Sequence, residues 1–181
     1  MKTVRVRDKS FSQFIPAEKI KAEVCNVAER INADFKDRNP LFICVLNGAF
    51  RFAGDLLSRI DIDCEITFVR LQSYNGTSSS GKVKTISGLN KDISGRHVII
   101  VEDIVDTGLT ARNLYEQLER HNPESIHIST LLFKPGAYRE NIPIDYIALE
   151  VPNAFLVGYG LDYCESGRNL NDLYTVCDNN T

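Results

Sequence analysis

Residues 98–118, VIIVEDIVDTGLTARNLYEQL, constrain the fold of this chain more than any other stretch. The branched apolar run 98–101 predicts a β-strand that is buried on both faces. An acidic turn is predicted over 102–108, and the apolar spacing that follows predicts a helix. The residues at that spacing are Leu109, Ala111, Leu114, Tyr115 and Leu118. The order strand, acidic turn, helix is typical of an open α/β sheet, in which ligands bind beyond the carboxyl ends of the strands.

The acidic turn combines two kinds of ligand group. Residues 106–110, DTGLT, offer backbone N–H groups and two hydroxyls to one phosphate, and Gly108 permits close approach of the backbone. The carboxylates of Glu102, Asp103 and Asp106 indicate a ligand that also carries hydroxyls, a removable proton or a divalent cation such as Mg²⁺. The pattern fits equally well a plain strand-to-helix turn whose solvated acids favour the helix dipole.

The composition describes an ordinary globular chain. With 181 residues, 43% hydrophobic and 25% charged, we expect one compact domain over residues 1–181. A net charge of −3 argues against a nucleic-acid-binding face. No apolar run has membrane-spanning length, and the five cysteines have no CxxC spacing. We therefore expect reduced thiols, core packing for Cys25 and Cys44, and a cytoplasmic protein that binds neither nucleic acid nor membrane.

Hydrophobic periodicity predicts alternating strands and helices along the rest of the chain. Helices are predicted over 16–35 and 52–60, and strands over 41–46, 65–71, 83–86, 98–101, 125–133 and 146–151, with a short edge strand or arm over 4–8. The strand–helix–strand order predicts parallel crossover units. Residues 153–171 mix aromatic, glycine and charged residues without periodicity, and we expect them to form a hood over a site.

The polar stretch 73–82, SYNGTSSSGK, is long for a connection and predicts a lid or a disordered excursion. Its Gly76 to Lys82 spacing approaches that of a P-loop. We reject that interpretation because Val83 replaces the Ser or Thr that would hold Mg²⁺, and because 83–86 has the pattern of a strand.

The sequence of residues 98–114, VIIVEDIVDTGLTARNL, resembles the phosphoribosyl-pyrophosphate signature of type I phosphoribosyltransferases, in the form found in the hypoxanthine-guanine branch. Further matches follow the order of that family over residues 4–176. They are VLNGAFRFAGDLL at 45–57, the pair Ser73-Tyr74, Lys134 after a strand, and FLVGYGLDY at 155–163 before Arg168. The resemblance implies a central, mostly parallel sheet flanked by helices, with a small hood from both chain ends. It also implies a homodimer or homotetramer.

The resemblance implies an activity and a residue set for phosphoribosyl binding. Such enzymes transfer the 5-phosphoribosyl group from phosphoribosyl pyrophosphate to N9 of hypoxanthine or guanine, giving IMP or GMP and pyrophosphate, with Mg²⁺. Glu102 and Asp103 would face the ribose hydroxyls, directly or through Mg²⁺. Asp106 would lie near the purine N7 as a general base or proton partner. The implied ligands of the 5′-phosphate are Asp106, Thr107, Gly108, Leu109 and Thr110.

The resemblance also implies the purine and pyrophosphate contacts. Lys134 would donate to the 6-oxo group, which disfavours adenine, and Phe155 would stack on the base, with Ile104 and Leu156 at the ring. Asp162 would bind a second Mg²⁺. Arg168 and the Asn47-Gly48 loop would bind pyrophosphate, with a non-proline cis peptide before Asn47. The 73–82 loop, opened by Ser73 and Tyr74, would close over the site to exclude water.

Alternatives remain at this point. Taken singly, Lys134 fits a surface position, Phe155 a core position, and Arg168 a surface ion pair. Their joint order favours the site, whereas the three histidines are expected to be structural. Asn47 and Leu109 replace lysines of some relatives. A nucleotide-sensing regulator without turnover and a xanthine-preferring transferase are the competing functions.

Overall fold

The structure, a computed structural model, describes residues 2–73 and 84–177. Its helices are α1 (Ala17–Asp34), α2 (Phe50–Leu57) and α3 (Leu109–Glu119). Its strands are β1 (Thr3–Val6), β2 (Lys9–Ile15), β3 (Leu41–Leu46), β4 (Glu65–Ser73), β5 (Lys84–Ser87), β6 (His97–Val105), β7 (Ser125–Phe133), β8 (Tyr146–Glu150), β9 (Leu156–Val157) and β10 (Leu173–Val176). Of the predicted lid pair, Ser73 ends β4, whereas Tyr74 and the rejected P-loop spacing lie outside the described residues.

The central sheet confirms the predicted α/β class. Its six strands have the order β5-β4-β3-β6-β7-β8, and all are parallel except β5, which runs antiparallel to β4. Val98 and Ile100 pack in the core that includes α3, whereas Ile99 and Val101 pack in the core that includes α1 and α2. All four are fully buried, because helices cover both faces of the sheet.

Helix α1 follows the predicted stripe. Pro16 precedes its first residue, and its buried residues are Ala17, Ile20, Val24, Val27, Ala28 and Ile31. The prediction that Cys25 packs in the core is wrong, since its thiol lies beside the stripe, partly exposed, and donates to Glu29. Cys44 on β3 is buried as predicted, and that burial raises the pKa of its thiol to about 12. Within residues 2–73 and 84–177, no helix is both long and apolar enough to cross a bilayer.

A second, antiparallel sheet joins the two ends of the chain. Its order is β1-β2-β10-β9, and its core contains Val6, Phe11, Val157 and Tyr174. We call this sheet and the 158–172 segment that connects β9 to β10 the hood. The sequence predicted the arm and the hood segment but missed β2, whose alternation is weakened by Ser and Gln on its partly exposed positions.

Two expectations for the 98–118 stretch are wrong. The acidic turn does not start at 102, because residues through Val105 continue β6 and pair with β7, Glu102 opposite Thr130 and Val105 opposite Phe133. Leu109 is 55% exposed and does not belong to the buried stripe of α3. It lies two and a half helical turns from Leu118, which places the two side chains on opposite faces.

Asp172 ties the hood to the start of α1, and its replacement should destabilise the fold. Its Oδ1 accepts the N–H of Ala17 at 2.9 Å, and its Oδ2 accepts from Lys2 and from the Tyr174 hydroxyl, both at 3.1 Å. We expect Asp172→Ala to lower the free energy of unfolding by about 2–3 kcal/mol, since three donors lose a charged acceptor. Urea denaturation measures the change.

The effect of Asp172 should depend on pH. Burial alone would raise the pKa of Asp172, but the Ala17 N–H, Lys2 and Tyr174 together lower it. A depressed folded-state pKa stabilises the fold above the unfolded value of about 4, and this contribution is lost as the pH falls through the folded value. The control Lys2→Met should cost less than about 1 kcal/mol, because Lys2 is mostly exposed. Equal losses in the two variants would contradict the role given to Asp172.

Candidate active site

Three neighbouring parallel strands end at the same edge of the central sheet. β3 ends at Leu46, β6 at Val105 and β7 at Phe133, and Asn47, Asp106 and Lys134 follow directly. The order β3-β6-β7 makes these strands neighbours. Three polar residues from distant parts of the sequence therefore meet where open α/β sheets bind ligands.

Asp106 and Lys134 form an ion pair at this edge. The Lys134 ammonium donates to Asp106 Oδ2 at 2.7 Å, and the Lys134 N–H donates to the Val105 carbonyl at 3.0 Å. Lys134 is only 6% exposed, so the alternative of a surface lysine does not hold. Sequence reasoning missed this pair because the predicted strand ended at 101, whereas β6 continues to Val105 and so places Asp106 directly at a strand end.

A cavity of about 200 Å³ lies at the start of α3. It is lined by Glu102, Ile104, Val105, Asp106, Thr107, Gly108, Thr110 and Ala111. The first turn of a helix leaves N–H groups without an intrahelical acceptor, so this cavity suits an anion. Leu109, which the sequence placed among the phosphate ligands, does not line the cavity.

Gly108 is required by the shape of this loop. Its φ is +89°, and an added Cβ would lie 2.3 Å from Cε2 of Tyr138. The loop is fixed from the same side by the Arg139 N–H, which donates to the Thr107 carbonyl at 3.0 Å. The segment after β7 therefore supports both the anion loop and Lys134.

A second cavity, of about 280 Å³, also has Asp106 in its lining. It is lined by Asp103, Ile104, Asp106, Lys134, Ala154, Phe155, Leu156, Leu161 and Asp162. Ile104 and Asp106 line both cavities. The arrangement therefore offers an anion site and a partly apolar slot, with one carboxylate between them.

Phe155 presents its ring at the mouth of the second cavity. The side chain is 50% exposed, which does not fit the alternative of a core phenylalanine. Its ring centroid lies 5.8 Å from Tyr163, edge to face, and 6.3 Å from Phe11 on β2. Leu156 follows it in β9 and is buried. Phe155 is thus an exposed aromatic surface supported from behind by two rings of the hood.

Gly48 packs against the Asp103 carboxylate. The Leu46–Asn47 peptide is cis, as the resemblance implied. A Cβ built on Gly48 would lie 1.7 Å from Asp103 Oδ2, so no larger residue fits there without moving that carboxylate. Burial raises the pKa of Asp103, opposed by its own N–H, the Ile104 N–H and Arg168, while Asp162 raises it further.

Asp162 and Arg168 form an ion pair in the hood. Arg168 Nη2 lies 2.6 Å from Asp162 Oδ1, and Arg168 Nη1 donates to the Gly160 carbonyl at 2.9 Å. Asp162 Oδ2 accepts the Glu165 N–H at 2.8 Å. The pair lies close enough to Asp103 that both of its charges act on that carboxylate.

The resemblance implied Glu102 and Asp103 for one Mg²⁺ and Asp162 for a second, and the structure groups these three carboxylates differently. Asp103 and Asp162 line the second cavity, whereas Glu102, its neighbour in β6, lines the first. Among the described residues, no three His, Cys, Asp or Glu side chains are grouped closely enough to hold a metal ion. A cation near Asp103 and Asp162 would therefore complete its shell with oxygens of a bound ligand, which is the usual arrangement for Mg²⁺ with phosphates.

Two of the three histidines, His97 and His127, lie away from these cavities. His97 Nδ1 and His127 Nε2 both contact the Ser125 hydroxyl, at 2.8 and 3.1 Å. His127 Nδ1 contacts Asp145 at 3.1 Å. These groups belong to the start of β6 and β7, at the opposite end of the sheet from Asp106. Their hydrogen bonds agree with the structural role expected for them.

Comparison with known proteins gives consistent results. Residues 10–164 match the family model described as the phosphoribosyl transferase domain. The chain is 43% identical over 158 residues to the hypoxanthine-guanine phosphoribosyltransferase of Bacillus subtilis, covering 87% of this chain and 88% of that protein. The bifunctional protein TilS/HprT of Listeria innocua is also 43% identical, over 87% of this chain, but the match spans only 24% of that protein. A hypoxanthine phosphoribosyltransferase of Trypanosoma cruzi, solved as a mutant complexed with the product IMP, superposes with a TM-score of 0.83 at 32% identity, over 97% of this chain and 94% of that one.

Proposed function

This chain belongs to the hypoxanthine-guanine phosphoribosyltransferases, and on that premise we propose that it transfers the 5-phosphoribosyl group of phosphoribosyl pyrophosphate to N9 of hypoxanthine or guanine. The observation that carries the proposal is the pair of cavities that meet at Asp106. One has the amides and hydroxyls suited to a sugar phosphate. The other has an aromatic face and a buried ammonium suited to an oxopurine.

The phosphoribosyl group would occupy the first cavity. Its 5′-phosphate would accept hydrogen bonds from those backbone N–H groups of the 106–110 loop that line the cavity, and from the hydroxyls of Thr107 and Thr110. The ribose would then lie along the end of β6, with its hydroxyls toward Glu102 and Asp103. Leu109 belongs to this loop but does not line the cavity, and it is 55% exposed, so we expect no contact from it.

The purine would occupy the second cavity. Phe155 would stack on the base, between Ile104 and the backbone near Leu156. The Lys134 ammonium has three donors, so it can donate to the purine 6-oxo group while it keeps its contact with Asp106. Adenine offers no acceptor at that position and would leave a buried donor unmatched.

The reaction would proceed between the two cavities. N9 of the purine attacks C1′ of the ribose, and the bond from C1′ to pyrophosphate breaks with its electrons on the departing oxygen. The proton on N7 passes to Asp106, the carboxylate that both cavities share. Lys134 orients the base so that N9 faces C1′, which lowers the entropic part of the barrier.

The departing pyrophosphate would lie against the Asn47-Gly48 loop and Arg168. Asp103 and Asp162 would hold Mg²⁺ together with substrate oxygens, and the shared position of these two carboxylates in one cavity fits that arrangement. When bound, Mg²⁺ neutralises charge on the leaving group. Asn47 supplies an amide where many relatives have an ammonium, so the contact of a protein cation with pyrophosphate would come from Arg168.

A base panel tests the function directly. Purified protein with phosphoribosyl pyrophosphate and Mg²⁺ is mixed with hypoxanthine, guanine, xanthine or adenine, and nucleotide formation is followed by absorbance. We expect turnover with hypoxanthine, guanine or both, and none with adenine, because only the 6-oxopurines accept from Lys134.

Other outcomes of the panel would identify the competing functions. A clear preference for xanthine would indicate a xanthine-preferring transferase whose pocket contacts the purine ring differently. No turnover with any base, together with tight binding of IMP, would contradict the proposal and indicate a nucleotide-sensing regulator. The acidic net charge of −3 argues against an RNA-binding form of that regulator.

The organisation and location of the protein are also proposals. We propose a single domain that forms a homodimer or homotetramer. Ile66 and Phe68 are 42% and 48% exposed on one face of β4, an apolar pair that a second copy would cover. Sedimentation equilibrium would show a monomer if this is wrong.

The five cysteines form no disulfide, which supports a reducing, cytoplasmic location.

A further inference from the structure

We propose that Arg51 of α2 is a positioning residue that holds the Asp162–Arg168 pair over the Asn47-Gly48 loop, and so sets the affinity for the pyrophosphate end of the substrate. The proposal rests on the proposed function, which places pyrophosphate between that loop and Arg168. It assigns to Arg51 no contact with substrate.

The Arg51 side chain joins α2 to the hood at several points. Its Nη1 donates to the carbonyls of Asn169 and Leu170 at 3.3 and 3.1 Å, and its Nη2 donates to Asn171 Oδ1 at 2.6 Å. Its guanidinium carbon lies 4.9 Å from the centroid of the Tyr159 ring. The planar guanidinium uses its donors and its face at the same time, which an ammonium cannot do.

The hood segment that Arg51 holds is folded back on itself. The Tyr159 N–H donates to the Leu170 carbonyl at 2.8 Å, and the Gly160 N–H donates to the Arg168 carbonyl at 3.0 Å. Arg168 returns a bond from Nη1 to the Gly160 carbonyl. Arg51 therefore contacts both strands of this turn, the one that carries Tyr159 and the one that follows Arg168.

The same turn lies directly on the Asn47-Gly48 loop. A Cβ built on Gly160 would lie 2.3 Å from the Gly48 carbonyl oxygen and 3.7 Å from Cβ of Arg51. Helix α2 begins at Phe50, just after that loop. Arg51 thus connects the element that continues the loop to the segment that carries Asp162 and Arg168, and it fixes their separation.

A second contact between α2 and the hood lies beside the contacts of Arg51. The Tyr159 hydroxyl donates to Asp55, one turn further along α2, and burial together with this bond raises the pKa of Tyr159. This bond keeps the hood attached when Arg51 is replaced, so an Arg51 variant should fold. Its expected defect is a shift of Arg168 relative to Gly48, and not loss of the hood.

The test compares three variants of the full chain. Arg51→Met removes the charge and all donors. Arg51→Lys keeps the charge over Tyr159 but lacks the planar set of guanidinium N–H donors. Arg30→Met is the matched control, because Arg30 also stacks on a tyrosine, Tyr146 at 5.2 Å, and donates to a carbonyl at 2.8 Å, yet belongs to α1. Steady-state kinetics with each substrate, Tm, and calorimetric binding of magnesium pyrophosphate are measured for all.

We expect Arg51→Met to raise KM for phosphoribosyl pyrophosphate and Kd for magnesium pyrophosphate by about tenfold, with KM for hypoxanthine changed less than about threefold. For Arg51→Lys, the KM for phosphoribosyl pyrophosphate and the Kd for magnesium pyrophosphate should lie between those of Arg51→Met and of wild type. Arg30→Met should lower Tm by a similar amount to Arg51→Met but leave KM for phosphoribosyl pyrophosphate and Kd for magnesium pyrophosphate unchanged. Unchanged pyrophosphate binding in Arg51→Met, or equal shifts for both substrates, would overturn the role of Arg51. Because the binding measurement needs no turnover, an inactive wild type would contradict the proposed function and still leave Arg51 tested.

Discussion

Replacing Asp106 with asparagine is expected to lower kcat by about a hundredfold. Asparagine keeps the size of the side chain and an acceptor for Lys134, but it cannot take the N7 proton of the purine. KM for phosphoribosyl pyrophosphate should stay within about threefold of wild type, because the 5′-phosphate is bound mainly by backbone N–H groups. Steady-state kinetics with saturating hypoxanthine measures both values.

The matched control is Asp92→Asn. Asp92 accepts the Ser94 N–H in the turn before β6, at the opposite end of that strand from Asp106. Its replacement should leave kcat unchanged. A rate near that of wild type in Asp106→Asn would remove Asp106 from proton transfer, and a large rise in KM for phosphoribosyl pyrophosphate alone would assign it to sugar binding.

Replacing Gly48 with alanine is expected to lower kcat/KM for phosphoribosyl pyrophosphate by about a hundredfold. The new methyl group would occupy the position of the Asp103 carboxylate, 1.7 Å from Oδ2, and would force that carboxylate away from the ribose hydroxyls. A displacement of about 1 Å at a reacting centre commonly costs a factor of this size. KM for hypoxanthine should rise as well, because Asp103, which the new methyl group would displace, also lines the purine cavity.

Gly54→Ala provides the control for this change. Gly54 lies in α2, and a Cβ built on it would meet no atom within 4 Å. Alanine there should leave the kinetics unchanged and raise the free energy of unfolding by about 1 kcal/mol, because glycine is a poor helix former. If Gly48→Ala were as active as Gly54→Ala, Asp103 would have no part in binding the sugar.

Most of the central sheet could be predicted from local pattern. β3 (Leu41–Leu46) and β7 (Ser125–Phe133) have the predicted bounds, because strands buried on both faces are continuous apolar runs. α1 was predicted from its stripe and Pro16. In these elements the apolar pattern alone decides which residues are buried, so no knowledge of distant partners is needed.

The errors in the strands occur where distant partners decide. Residues 102–105 continue β6 because β7 offers them a pairing edge, which outweighs the poor strand preference of Glu102 and Asp103. β2 was missed because its stability comes from β1 and from β10 at the other end of the chain. Such pairings depend on the whole topology, and no local window contains them.

Part of the membership of the candidate site was predicted, but its geometry was not. The order of the matched motifs indicated Asp106, Lys134 and Phe155, and the structure brings all three to one cavity. The Asp106–Lys134 ion pair follows from the adjacency of β6 and β7, which the motif order does not contain. The roles of these residues in catalysis stay predictions.

A crystal structure of the protein with IMP would test the central claim most directly. We predict the IMP phosphate on the backbone N–H groups of residues 106–110, the base stacked on Phe155, and the 6-oxo group within hydrogen-bonding distance of Lys134 Nζ. Asp106 should lie next to N7. IMP bound outside these two cavities, or with N7 turned away from Asp106, would contradict the assignment of this edge of the sheet as the site of transfer.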